Sequence, residues 1–312
     1  MVNLGYACIN MTLAKDRVTT GRTCRLATLR EKGIEHASKL ALQNVRDLVT
    51  ILLWNESNKI KFFRLGSDII PWGNKMDVEK YPDFPEICQV LKEAGFVALR
   101  SGQRITSHPG PFNLLASPNP IVVENTIKDL EMHSKIFDLM GLSKTPYNKI
   151  NIHIGATYKD KQNAAKTWVK NTKLLSNSCL GRLTVENDDK ASMFSVSDLY
   201  HMVFITTGIP IVFDYHHHKF NTGDLSELQA LELAMSTWGH IKPVTHYSES
   251  KSLHEMDNKI RLQAHSNYIN GPINTYNKDI DVMVEAKAKE LAILKLTQNE
   301  KTNISTSSDS LM

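Results

Sequence analysis

The chain has 312 residues, 41% hydrophobic and 22% charged, ordinary proportions for a globular protein and within the size of one large α/β barrel. A net charge of +4 neither demands nor excludes nucleic acid, and no stretch is long and apolar enough to span a membrane. Cys8, Cys24, Cys88 and Cys179 form no CxxC pair, which excludes a zinc ribbon as a reading and favours reduced thiols over a disulfide frame.

The first segment, "MVNLGYACIN", lacks the charged and apolar regions of a secretory signal, so an intracellular protein, cytoplasmic or nuclear, is expected. Up to Arg30 the chain carries Lys15, Arg17, Arg22, Arg25 and Arg30 against Asp16, a basic stretch able to meet phosphates or simply solvated. Short runs rich in β-branched residues then recur: "VNLGYAC", "IKFFRLG", "RITSHPG", "KINIHIG", "RLTVEN", "PIVFDY", "PVTHYS" and "DIDVMVEA". Several are near-continuously apolar, as for parallel strands buried on both faces. Helical periodicity lies between them. Ala37, Ala41, Val45, Leu48 and Leu52 make one face; Val123, Ile127, Leu130 and Phe137 make another, opened by Asn119 and Pro120. Ser195 with Asp198 and Ser226 with Gln229 read as capping boxes, and Gly208 with Pro210 stops the first of these helices. Eight strands alternating with helices predict a single-domain (β/α)8 TIM barrel over 1–297, with a disordered tail at 298–312. A doubly wound open sheet is the alternative.

In such barrels chemistry sits where strands end. His108 follows "RITS", His153 lies in "INIHIG", and Glu186 ends "LTVE". Asp214 ends "IVFD" with His217 three residues on, His246 ends "PVTH", and Glu285 ends "VMVE". Carboxylates mixed with imidazoles suit first-row divalent ions such as manganese or zinc, and a carboxylate such as Glu186 can bridge two of them. Paired ions can activate water at a phosphodiester. In "HHH", His217 is the expected ligand, with His216 or His218 as support or phosphate contact. His36, His133, His201, His240 and His254 lie on inferred helices or loops and are read as structural.

The motifs "LGYACINMTL", "FRLGSDIIPW", "TSHPG", "IHIGA", "TVENDD", "VFDYHHH", "THYSES" and "VMVEAKAKE" stand in this order across residues 2 to 290. Together they resemble the UV damage endonucleases of the UvdE type. The resemblance implies a TIM barrel, similar to endonuclease IV, that holds two or three divalent ions, manganese before zinc, magnesium or cobalt. It implies incision of damaged double-stranded DNA 5′ to cyclobutane dimers, 6-4 photoproducts and abasic sites, leaving a 3′-hydroxyl and a 5′-phosphate. Carried over by motif, the metal ligands fall on His108, His153, Glu186, Asp214, His217, His246, His265 and Glu285. Of these, Glu186, Asp214, His246 and Glu285 form the catalytic core. His265, in "LQAHSNY", comes from the resemblance alone. Tyr6 and Asn10 match positions that contact the damaged nucleotides, and Pro111-Phe112 takes the place of a wedge pair, often Gln-Tyr, inserted into the helix.

Two departures bear on a third metal. Many members carry a lysine two residues before the histidine of "HYS"; here Val244 stands there, and Lys242 is too far along the strand to replace it. No histidine follows Trp72 in "IPWGNK". The mechanism expected is in-line attack of activated water on the phosphate, with Arg22, Arg25, Lys287 and Lys289 as candidate backbone contacts. A monomer without a membrane or an obligate protein partner is expected. The competing functions are a metal-dependent sugar isomerase or epimerase, which shares the barrel, and a non-catalytic lesion binder.

Overall fold

A computed structural model describes residues 2–298. Eight short strands run β1 (Asn3–Ala7), β2 (Phe62–Leu65), β3 (Arg104–Ser107), β4 (Ile150–Ile152), β5 (Leu183–Glu186), β6 (Ile211–Asp214), β7 (Val244–Tyr247) and β8 (Asp281–Val284). They pair in that order and close into a barrel. Closure is made by β1 on β8, with Leu4 opposite Val282 in parallel register. The open sheet is thereby excluded. Among the described residues no helix is long and apolar enough to cross a membrane. The tail expected at 298–312 lies, after its first residue, outside the described residues.

The helices begin where the capping signals place them. Asn119 accepts from the Ile121 amide, and the boxes Ser195/Asp198 and Ser226/Gln229 are both closed. The helix after Ser195 widens to a π turn at Tyr200–Phe204 before ending at Gly208, φ +70°. The helix Leu26–Ser57 is broken at Gly33, φ +72°. Between helices Phe84–Arg100 and Pro120–Leu139, Gly95 permits an approach no side chain would allow: a Cβ there would lie 1.7 Å from the Met140 carbonyl oxygen. Most of the apolar core fills the shell between barrel and helices.

Inside the barrel, side-chain alternation sets three levels. On β8, Asp281, Met283 and Glu285 project inward at successive heights; on β7, Lys242, Val244 and His246 do the same. At the N-terminal end Arg104 reaches Asp281 at 3.1 Å and Lys242 reaches it at 2.9 Å. Above them Phe62, Val212, Val244 and Met283 pack with Trp238 as an apolar plug. Val244 itself is fully buried within this plug. His246 and Glu285 stand above it, at the end where the loops converge.

Candidate metal centre

Glu186 is the hub. It is 1% exposed, and four imidazoles surround its carboxylate. His108 Nε2 lies 3.1 Å from Oε2 and His246 Nδ1 3.1 Å from Oε1, with His217 Nδ1 at 3.6 Å and His153 Nε2 at 3.9 Å. Asn151 Nδ2 also donates to Oε2, and Asn151 in turn accepts from Thr184 Oγ1 at 2.8 Å. Three overlapping ligand groups result, each drawing donor atoms within 4.8 Å: His108/Glu186/His246, His153/Glu186/His217 and Asp214/His246/Glu285.

The "DYHHH" stretch is explained by a cap. Asp214 ends β6, and its Oδ1 accepts from the His217 amide at 2.8 Å, closing the short turn Tyr215–His218. That turn swings His217 back towards Glu186. His216 and His218 go elsewhere: both are buried, His216 edge-on to Phe220 and His265, His218 against Phe213. Of the two expected roles, His216 takes the supporting one, packed against the ligand candidate His265.

Three histidines are each oriented through Nδ1. His217 Nδ1 faces the Asn187 carbonyl at 2.8 Å, His265 Nδ1 the Glu285 carbonyl at 3.1 Å, and His108 Nδ1 the Pro109 carbonyl at 3.2 Å. A carbonyl only accepts, so Nδ1 carries the hydrogen and Nε2 keeps its lone pair for a cation. His265 lies outside the three tight groups, yet its ring is 3.7 Å from Glu285 Oε2.

Burial and like charge strain this cluster. Burial pushes the Asp214 carboxyl up to about 7, with Glu186 and Glu285 adding to the rise against His217. Burial alone would lower His153, but Glu186, Asp188 and Asp214 lift it to about 10. Burial also favours the neutral form of Glu186, but His246 and His153 outweigh it and hold the carboxyl well below its usual range. Asp214 Oδ2 is buried with no hydrogen-bond partner among the described residues. An orphaned carboxylate oxygen within a mixed oxygen and nitrogen donor set fits a divalent cation of the manganese or zinc type.

Two side chains were not singled out by the sequence. Arg64, inward on β2, pairs with Glu285. Lys149, inward just before β4, is fully buried with Nζ 3.1 Å from His246 Nε2, and burial pushes its ammonium down to about 7. Lys149 thus brings an amine to the centre from a different strand than the one carrying Val244. Lys149 follows the alternation that leads to a named ligand, since Lys149, Asn151 and His153 share a face, whereas the β2 strand of Arg64 carries no expected ligand. That periodicity was the available signal. Lys242, by contrast, is engaged with Asp279 and Asp281 at the opposite end.

The remaining expected positions divide. Phe112 is 87% exposed, and Pro111 lines a cavity of about 340 Å³ with Arg64, His108, His153, Asp188 and Glu285. Pro111 and Phe112 also border a second cavity of about 580 Å³ that includes Asp68, Asn74, Lys75 and Asn125. Tyr6 and Asn10 are fully buried. The Tyr6 hydroxyl donates to Asn55 Oδ1 at 2.7 Å and accepts from Asn10 Nδ2 at 3.0 Å, while Asn10 Oδ1 accepts from the Leu13 amide. In this structure they brace the first loop. Arg22 is likewise spent on Asp47 and on the carbonyls of Thr19 and Arg17.

A closed parallel barrel with a carboxylate–imidazole cluster at the C-terminal ends of its strands defines a TIM-barrel protein with a candidate divalent-metal centre. The family model for UV-endonuclease UvdE matches residues 2–310, and the chain belongs to that family. It is 36% identical to the UV-damage endonuclease of Schizosaccharomyces pombe over 94% of this chain and 50% of that protein, and 30% identical to the UV DNA damage endonuclease of Bacillus cereus strain B4264 over 86% and 83%. The chain therefore spans about half the length of the fission-yeast relative. The crystal structure of SacUVDE superimposes with a TM-score of 0.84 at 29% identity, covering 97% of this chain and 99% of that one. Endonuclease IV of Thermus thermophilus and a D-psicose 3-epimerase share the fold at 13% identity, with TM-scores of 0.53 and 0.52. Fold alone thus leaves nuclease and epimerase equal.

Proposed function

We propose that this chain is a divalent-metal-dependent DNA repair endonuclease that incises the strand 5′ to ultraviolet lesions, cyclobutane dimers and 6-4 photoproducts, and also at abasic sites. Membership of the UvdE family supports the activity. The observation that carries the chemistry is Glu186 held among four imidazoles, beside a cavity lined by Pro111, whose chain neighbour Phe112 is 87% exposed. A closed monosaccharide pocket has no use for a projecting aromatic ring. A DNA surface does, because an aromatic side chain can replace the stacking lost when a lesion leaves the helix.

Glu186, His108, His246, His153 and His217 would hold the ions, with Asp214, Glu285 and His265 completing the set. Bound ions, manganese first on the mixed donor set, would supply an activated water and charge neutralisation at the phosphate. In the incision a water oxygen would form the new bond to phosphorus while the bond from phosphorus to O3′ breaks. O3′ takes up a proton to leave as a 3′-hydroxyl, and phosphorus stays on the lesion-bearing side as a 5′-phosphate. Phe112 and Pro111 would stand at the extruded nucleotides, and the exposed Lys287 and Arg25 would contact the backbone.

The test is nicking of ultraviolet-irradiated supercoiled plasmid with Mn or with EDTA, beside an unirradiated control and a Glu186→Gln variant. Damage-dependent nicking abolished by EDTA and by E186Q, with ends mapping to 3′-hydroxyl and 5′-phosphate, is expected. Damage-selective binding without nicking would instead make the chain a lesion binder.

A further inference from the structure

Three arginines, Arg64, Arg104 and Arg182, are largely buried in or around the barrel, and their hydrogen-bonding differs. Arg104 donates to the carbonyls of Tyr147, Lys242 and Pro146 and to Asp281. Arg182 donates to the carbonyls of Ser143, Ser134 and Leu142, to the hydroxyls of Ser134 and Ser178, and pairs with Asp138. Each has a donor set matched to its surroundings, as buried guanidinium groups require. Arg64 does not. Of its five N–H donors, one is spent on Glu285 Oε1, and no other hydrogen bond is found for it among the described residues. Its side chain is 14% exposed, and it lines the same cavity as His108, His153, Asp188 and Glu285. Its remaining donors therefore have the cavity as their accessible partner.

We infer that Arg64 is a catalytic residue of the incision proposed above, its guanidinium fork holding a non-bridging oxygen of the scissile phosphate; the inference rests on that reading. Glu285 fixes the fork, so that the donors are in place before the reaction. As the bond to the attacking oxygen forms and the bond to O3′ breaks, negative charge grows on the non-bridging oxygens, where preorganised donors act most strongly. A planar guanidinium suits this role better than an ammonium would.

The test uses the full chain with Arg64→Gln and Arg64→Lys. Single-turnover incision of a lesion-bearing duplex is measured beside the Mn-dependent rise in melting temperature without DNA. For R64Q the incision rate should fall by about 10²–10³-fold, while the Mn concentration giving half the melting shift stays within about threefold of wild type. R64K should recover only part of the rate. The phosphorothioate at one non-bridging position that slows wild type should slow both variants less. Incision by R64Q near the wild-type rate, or an undiminished phosphorothioate effect in R64K, overturns the assignment. A loss of Mn response in parallel with rate also overturns it, since Arg64 would then serve only to shape the metal site. Should R64Q not fold, R64K alone decides by the phosphorothioate effect. Absence of damage-dependent nicking in the wild type would sink the parent reading, a result distinct from any change confined to the Arg64 variants.

Discussion

The two ends of the barrel interior each hold buried charge, and they treat it differently. At the N-terminal end Asp281 is met by Arg104, Lys242 and the Asn3 side chain, and Arg104 also stacks on Tyr147, 4.6 Å from the ring centre. Charges there cancel within the protein. At the C-terminal end Glu186, Asp214 and Glu285 crowd together among imidazoles, Asp214 keeps an orphaned oxygen, and Arg64 keeps idle donors. Both clusters cost desolvation; the first is compensated by residues of the chain throughout, the second in part, by the imidazoles at Glu186 and by Arg64 at Glu285. The apolar plug of Phe62, Val212, Val244 and Met283 separates them.

This contrast can be broken by substitution. The largest effect is expected at the hub: E186Q should lose at least ~10³-fold in incision rate, read in single-turnover assays, with the melting temperature without metal falling far less. Asp281→Asn should do the reverse. It leaves the buried Arg104 charge without its carboxylate and should cost about 3–5 kcal/mol of stability, measured by urea unfolding, while the Mn-dependent rise in melting temperature survives.

Asp214→Asn sharpens the point further. The folded pKa of Asp214, about 7, lies above its ordinary 3.8, so its contribution to stability is most favourable below 3.8 and is lost as pH rises towards 7. In EDTA at pH 8, D214N should therefore be more stable than wild type by on the order of a few kcal/mol, with the difference vanishing towards pH 4. A metal-free wild type more stable than D214N at pH 8 would show that Asp214 is compensated after all. Phe112→Ala should weaken damaged-DNA binding by about 10–100-fold, the loss of one stacked ring, and leave folding and Mn response unchanged. The mildest effect is on metal affinity with pH: a cation must displace protons from His153, near 10, and Asp214, near 7. Affinity should rise by about tenfold per pH unit for each proton displaced between pH 6 and 7, as titration calorimetry would read.

The difference between what was legible and what was not follows the range of the forces involved. Strand runs, capping boxes and the placing of His108, His153, Glu186, Asp214, His217, His246 and Glu285 at strand ends are local patterns; together with the order of the motifs they determined the barrel and the family. The burial of Tyr6 and Asn10 was not local. It depends on Asn55, far along the chain, accepting from the Tyr6 hydroxyl. Lys149 and Arg64 looked like ordinary charged residues flanking strands, and only barrel closure, which leaves just β1 between β2 and β8 and turns alternate side chains inward, set Arg64 against Glu285 and Lys149 against His246. Sequence periodicity says which face a residue takes. What waits on that face, and whether its charge is already answered, is decided when strands distant in sequence meet, because Coulomb and hydrogen-bond partners act through space and not along the chain.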